Sequence, residues 1–297
     1  MSSEEIVTAV YTATQKLFEG LPEHHGWPHV KAVYENTCEA LKHGSYTDDQ
    51  SLKLRLAALL HDADDDKIFP GLIRGPIKRS AFSSAHLAPM SHFPNAHHVL
   101  KDCQVPYKLW ADIDEIISLV STSTQAAEED RLNYIYDGDE IPQWLFVARD
   151  ADRLEAIGAV GFKRVIDYNT EVGKPMWTMG TPLPIWRGYS MADKAGLVIP
   201  HSGRRSVETD IPAWLARELE SEAFHARWPA YLGGRKSASA IDHFFDKLLH
   251  LDCADAGNKW LIERAKERRA EMMPPFVELL EKAAKEHLHL TRKQVAE

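Results

Sequence analysis

The sequence predicts an all-α fold, a helical bundle interrupted by two irregular insertions. Three observations carry that expectation. Apolar residues recur at spacings of three and four through most of the chain, alternation of β-branched residues is scarce, and helix start and stop residues flank the apolar stretches. With 297 residues the chain is long enough to bury a sizeable core, and one domain with insertions is the default organisation.

In WPHVKAVYENTCEALKHG, Pro28 suits the first helical turn, Val30, Val33, Thr37 and Leu41 form a stripe, and Gly44 follows Lys42 and His43 as a stop. TDDQSLKLRLAALLHD opens with Thr47 and Gln50 at capping-box spacing, runs apolar from Leu52 to Leu60, and ends at His61-Asp62. Further helices are expected at about 92–104, 109–122, 141–168, 211–228, 238–251 and 253–287. Two stretches break the pattern: 69–91, with Pro70, Gly71, Gly75, Pro76 and Pro89, and 170–212, where glycines and prolines recur from Gly173 to Pro212. Irregular segments of that length are expected to be functional loops or mobile covers. From Lys259 onward the tail reads as a charged amphipathic helix with a solvated outer face, or as a contact between two copies in a homodimer.

Composition excludes some functions. With 35 basic against 44 acidic residues the net charge is −9, which argues against bulk nucleic-acid binding and leaves open a local pocket for a small anion. Cys38, Cys103 and Cys253 are odd in number and widely spaced, as expected of reduced thiols rather than a disulfide framework. The start MSSEEIVTAVY lacks the basic and apolar regions of a signal peptide, and no apolar run reaches the roughly 18 residues of a membrane span. The expectation is a soluble, cytoplasmic protein that does not engage membranes.

The chemistry begins with a conflict between charge and burial. In IPQWLFVARDADRLEAIGAVGFKRV, helical spacing puts Ile141, Leu145, Ala148, Asp152, Ala156 and Ala159 on one face, so a carboxylate interrupts an apolar stripe. Burying it alone costs several kcal/mol or more, so Asp152 must be protonated, paired with a cation, or bound to a metal. His61-Asp62 poses the same problem at the end of its apolar helix, and His29 brings a second imidazole near the start of another. Two imidazoles and two carboxylates suit a divalent cation, with Mn²⁺, Fe²⁺, Ni²⁺, Mg²⁺ and Zn²⁺ all admissible. A lone His-Asp pair is unspecific, being more often a surface pair or a histidine at a helix C-terminus; order and context decide.

The ordered set, H-x-W-x-H at 25–29, HD at 61–62 and D-A-D-R-L at 150–154, resembles the HD-domain superfamily of metal-dependent phosphohydrolases, most closely its YedJ-like branch. The resemblance extends over HGWPHVKAVYENT, LLHDADDDKIF, ARDADRLEAIGAVGFKRV and SASAIDHFFDKLLHL, from about residue 20 to 285 with gaps at the irregular stretches. It implies one HD-type domain over 1–297, with a core over about 20–168, an insertion at about 170–210 and C-terminal helices over about 211–290. It further implies one central divalent metal held by His29, His61, Asp62 and Asp152, the four residues reached from burial and charge.

Asp65 and Lys67 match the family's HDxxDxK arrangement. Helical spacing would put Asp65 on the side of His61 and Asp62, fit to move the proton of a metal-activated water or to orient His61. Lys67 would neutralise a phosphate oxygen or pair with Asp64 or Asp66; those two aspartates are expected to be solvated. His25 is expected to face substrate or cap its helix, Lys247 and His243 to line a pocket, and Asp150 and Arg153 to form structural ion pairs. The implied activity is hydrolysis of a phosphate ester or anhydride of a nucleotide or similar small phosphorylated metabolite. A base could stack on Trp27, Trp144, Trp177 or Trp186.

One departure stands out. Where bacterial relatives carry I-x-x-H-S, this chain has IISLVSTST, with Ser121 and Thr122 and no histidine. Two alternatives stay open: a dinuclear HD-type phosphodiesterase or oxygenase drawing on His86, His92, His97 and His98, and a non-catalytic nucleotide-binding module.

Overall fold

The computed structural model describes residues 1–21, 26–65, 68–69, 93–120, 141–187 and 205–296, with backbone only at 186–187, 205 and 292–296. The expectations for His25, Asp66, Lys67, Ser121, Thr122, His86 and His92 fall outside them, as does nearly all of the 69–91 stretch. The described chain is helical apart from one short ribbon, in agreement with the all-α expectation. It divides into two compact units, residues 1–157 with 251–267 and residues 158–250 with 268–297.

The first unit contains α1 (Ser3–Leu17), α2 (Trp27–Lys42), α3 (Asp48–Leu60), α4 (Pro94–Asp102), α5 (Trp110–Val120) and α6 (Val147–Ala156). Helix α1 was not anticipated, although its signal is legible: Ser2 and Glu5 form a reciprocal capping box. The expected box at α3 is present too, Gln50 N donating to Thr47 Oγ1 at 3.1 Å and Thr47 N to Gln50 Oε1 at 2.9 Å. Leu52, Leu54, Leu56, Ala57, Ala58, Leu59 and Leu60 are all buried, so α3 is apolar nearly all round. Such a helix belongs at the centre of a bundle, and α3 packs against α1, α2, α5 and α6. Each fully buried leucine contributes about 1.5–3 kcal/mol, which fixes the axis of α3 and delivers its last residue, Leu60, to the middle of the unit.

The helix expected at 141–168 is two helices. A 3₁₀ turn at Gln143–Phe146 leads into α6, which stops where Ile157 turns extended (φ −113°, ψ 172°), and α7 (Gly158–Glu171) starts afresh. Gly158 has φ +85°, a conformation that disfavours any side chain. A Cβ there would lie 2.7 Å from Arg268 Cδ. The stripe drawn across both helices therefore does not hold, and Ala159 is exposed. Gly158→Ala is expected to lower stability by about 1–2 kcal/mol, read as a fall in the urea midpoint with unchanged slope.

The second unit contains α7, the antiparallel ribbon β1 (Ile185–Arg187) and β2 (Arg205–Val207), then α8 (Ile211–Leu219), α9 (Glu222–His225), α10 (Arg227–Leu232) and α11 (Ala240–Asp246). Helix α12 (Lys259–Ala296) contributes residues to each unit. The single helix expected over 211–228 is thus three short ones, with Ser221 capping the second. The 170–212 stretch is not simply irregular. Besides the ribbon, its first part is tied to α11: Ala240 N and Ile241 N donate to the carbonyls of Pro175 and Met176, each at 3.0 Å, and Thr181 Oγ1 donates to Asp242 Oδ2 at 2.8 Å. Phe244 stacks on Phe276 with centroids 4.6 Å apart, forming the core of this unit. Among the described residues, no helix is long and apolar enough to cross a membrane.

Candidate metal centre

Three elements of the first unit bring the charged residues together. His29 lies in the first turn of α2, His61 is the C-cap of α3 with Asp62 next to it, and Asp152 lies midway along α6. Packing of α2 on α3 and α6, and of α3 on α6, sets the convergence. His29 Nε2 is 3.1 Å from Asp152 Oδ1 and 3.6 Å from Asp62 Oδ2. His61 Nε2 is 3.4 Å from Asp62 Oδ2 and 3.9 Å from Asp152 Oδ1. Donor atoms bound to one cation at about 2.1 Å stand roughly 3.0–3.5 Å apart, so the spacing has the scale of a coordination shell. Among the described residues, His29, His61 and Asp152 form the group whose donor atoms all lie within 4.8 Å of one another.

His61 carries the most direct sign of a missing partner. Its Nδ1 donates to the Ala58 carbonyl at 2.9 Å, which directs the lone pair to Nε2. That Nε2 is buried, and the nearest acceptor it faces is Asp62 Oδ2 at 3.4 Å. A buried acceptor facing two carboxylates is what a cation would satisfy. Without metal the imidazole responds by holding a proton. Burial pulls its pKa down, but the charge and hydrogen bond of Asp62, with the charge of Asp152, outweigh it and raise the value to about 9. Burial pushes Asp152 up, but His29 and His61 more than offset this and hold it below the usual carboxylate range. The histidine side chains are 5% and 1% exposed and those of Asp62 and Asp152 are 20% and 23% exposed, so the centre opens on its carboxylate side.

Around these four residues the structure adds partners that spacing did not reveal. Asn36 Nδ2 on α2 donates to Glu155 Oε1 on α6 at 3.0 Å, bracing the two helices that carry His29 and Asp152. Arg149 pairs with Asp255 at 2.7 Å, and Arg153 pairs with the same carboxylate. Asp150 is fully buried and accepts from Ala256 N at 2.8 Å; burial raises its pKa to about 7. These residues tie α6 to the 254–257 loop, the structural role expected of Asp150 and Arg153.

Two expectations need correction. Asp64 is not solvated: it is 2% exposed and its carboxylate accepts from two backbone amides of α4. The helical placement of Asp65 does not hold either, because α3 ends at Leu60 and tight turns follow, Ala63 N donating to Leu60 O and Asp65 N to Asp62 O. Asp65 is half-buried. Lys247 and His243 belong to the second unit, where His243 Nδ1 lies 3.3 Å from Ser237 Oγ and its ring meets Tyr231 edge-on. Their neighbours Asp242 and Asp246 are buried and hold Arg227 and Arg235, a network that the sequence reading passed over. His97 is engaged by Asp114, and His98 is exposed beside Asp102. Trp27 packs edge-on against Tyr11 in a cluster with Phe18 and Val30.

An all-α unit whose α2, α3 and α6 converge on a His-His-Asp group has the architecture of the HD-domain fold, and solved structures bear this out. A Lactobacillus plantarum protein matches over 100% of both chains with a TM-score of 0.54 at 20% identity. An HD-superfamily hydrolase from Bacillus thuringiensis matches over 93% of this chain and 95% of its own, with a TM-score of 0.50 at 17% identity. No family model matches the chain. By sequence the chain belongs to one family with the uncharacterized protein L803 of Acanthamoeba polyphaga mimivirus, to which it is 30% identical over 253 residues, 84% of this chain and 85% of that protein.

Proposed function

We propose that the protein is a metal-dependent phosphohydrolase that cleaves a phosphate ester or anhydride of a nucleotide or similar small phosphorylated metabolite. The observation that carries the reading is the buried His61 Nε2 directed at the carboxylates of Asp62 and Asp152 beside His29. His29, His61, Asp62 and Asp152 hold one divalent cation, Mn²⁺, Fe²⁺, Ni²⁺, Mg²⁺ or Zn²⁺. When bound, such a cation supplies Lewis acidity, acidifying water and offsetting negative charge on phosphoryl oxygens.

The protein's own groups do the rest. Ala58 O fixes the His61 tautomer, so that Nε2 keeps its lone pair toward the centre. The partly exposed carboxylates of Asp62 and Asp152 mark the side from which substrate approaches. Asp65 takes up a proton on its carboxylate, Lys67 neutralises a phosphoryl oxygen, and His25 contacts substrate; the support for these three roles is the sequence pattern. The Bacillus thuringiensis protein of the same fold is described as a hydrolase, in keeping with the proposal.

The test is a panel of nucleoside triphosphates, monophosphates and sugar phosphates, each with Mn²⁺, Mg²⁺, Ni²⁺ or Fe²⁺. Wild type is expected to release phosphate or pyrophosphate from at least one nucleotide, His61→Ala to be inactive, and Asp65→Ala to keep the metal while turning over about a hundredfold slower. Nucleotides that raise the melting temperature without being hydrolysed would replace the enzyme by a binding module. Two equivalents of iron per chain would replace one metal by two.

A further inference from the structure

Asp64 stands two positions past Asp62, and its burial has a specific outlet. Oδ1 accepts from Asn95 N at 2.8 Å and Oδ2 from Ala96 N at 3.0 Å. Both amides lie in the first turn of α4, where no carbonyl of the same helix can satisfy them, and Phe93 at the N-cap offers no side-chain acceptor. Asp64 therefore caps a helix 30 residues further along the chain, with charge-assisted bonds. Asn95 returns the contact: its Nδ2 donates to the Ala63 carbonyl at 2.8 Å.

Three hydrogen bonds thus pin the turn at 61–64 to α4 from the side. Helix α4 is itself anchored, since His97 Nε2 lies 2.8 and 3.0 Å from the two carboxylate oxygens of Asp114 on α5, and both side chains are buried. Helix α5 packs against α3 and α6, which carry His61 and Asp152. The ligand turn needs such bracing, because the regular ladder of α3 has ended at Leu60 and Asp62 lies beyond it. A coordination shell tolerates about 0.5 Å of misplacement.

We propose that Asp64 is a positioning residue of the metal centre, holding the His61-Asp62 turn in register through the α4 N-terminus, with Asn95 as its reciprocal partner. This rests on the reading of His29, His61, Asp62 and Asp152 as metal ligands. Asp64 stands outside the proposed ligand set; each of its oxygens accepts from a backbone amide.

The experiment is calorimetric titration of full-length protein with Mn²⁺, well below the lowest melting temperature, for wild type, Asp64→Ala, Asp64→Asn and Asn95→Ala. Electron paramagnetic resonance of the loaded proteins and amide exchange at 95–96 are recorded alongside. Asp64→Ala and Asn95→Ala are expected to weaken Mn²⁺ binding about tenfold, the lower end of the range for residues that orient ligands, and to broaden the Mn²⁺ signal. Asp64→Asn, which keeps an acceptor for one amide, is expected to recover most of the loss. An Asp64→Ala protein that melts earlier yet binds Mn²⁺ with wild-type affinity has lost only stability, and overturns the proposal. Should Asp64→Ala fail to fold, Asn95→Ala decides, because it leaves the cap intact; wild-type affinity there is equally fatal. Wild type that binds none of Mn²⁺, Fe²⁺, Ni²⁺, Mg²⁺ and Zn²⁺ in the same titration brings down the metal-centre reading itself, a result distinct from equal binding by wild type and variants.

Discussion

Asp152→Ala is expected to weaken binding of a divalent cation by more than about a hundredfold and to slow phosphate release by about a thousandfold or more. Loss of a ligand exceeds the 10–100-fold typical of residues that merely orient ligands, and several kcal/mol of transition-state stabilisation correspond to about three orders of magnitude in rate. The structure also says why the fold should survive. Ala151 and Leu154 on the same helix are fully buried, Arg149 and Arg153 keep their pairs with Asp255, and Asn36 still holds Glu155. The variant is therefore expected to show native circular dichroism. What it loses is the 3.1 Å contact with His29 and one of the two charges that hold His61 protonated. Calorimetry with Mn²⁺ and a phosphate-release assay check both halves; an Asp152→Ala protein that binds Mn²⁺ as wild type does would remove Asp152 from the ligand set.

The second large effect is a dependence on pH that reverses when metal is removed. In the metal-free protein His61 has its pKa raised to about 9 from 6.5, burial being outweighed by Asp62 and Asp152. A group whose folded pKa is raised contributes its full stabilisation below the unfolded value and loses it as pH rises through the folded one. Metal-free protein is thus expected to lose about 3 kcal/mol between pH 6.5 and 9, at 1.36 kcal/mol per unit. Metal requires the neutral imidazole, so binding near pH 7 must expel that proton, and apparent affinity should rise about tenfold per pH unit toward 9. Titrations in two buffers of different ionisation enthalpy count the proton directly. Release of about one at pH 7 is the expected result, and none at all would mean that His61 is neutral before metal arrives.

The all-α fold class and the gathering of His29, His61 and Asp152 were legible in the sequence because both rest on local signals. An apolar run with His61-Asp62 at its end and a carboxylate in an apolar stripe state a problem of charge burial, although Asp152 keeps 23% exposure and the fully buried carboxylate of α6 is Asp150. Capping boxes at Ser2–Glu5 and Thr47–Gln50 are equally local. The centre also agrees with the family's order of motifs, though the roles of Asp65, Lys67 and His25 still rest on that order.

Other features depended on groups far apart in the chain. The Ile157–Gly158 break splits a stretch with continuous helical periodicity, since periodicity does not record a backbone turned to positive φ. Asp64 looked like one more solvated aspartate because its partners, Asn95 and Ala96, come 31 and 32 residues later and offer backbone amides, which carry no side-chain signature. Likewise Asp242 and Asp246 became buried acids only where the chain brought Arg227 and Arg235 against them. By itself the sequence singled out His29, His61, Asp62 and Asp152 as side chains whose charge needs a partner, because the cost of desolvating a carboxylate follows from residue type. Only the tertiary structure decided which of the aspartates in HDADDD faces the centre and which caps a helix, because at the end of α3 the answer turns on which neighbouring element presents donors.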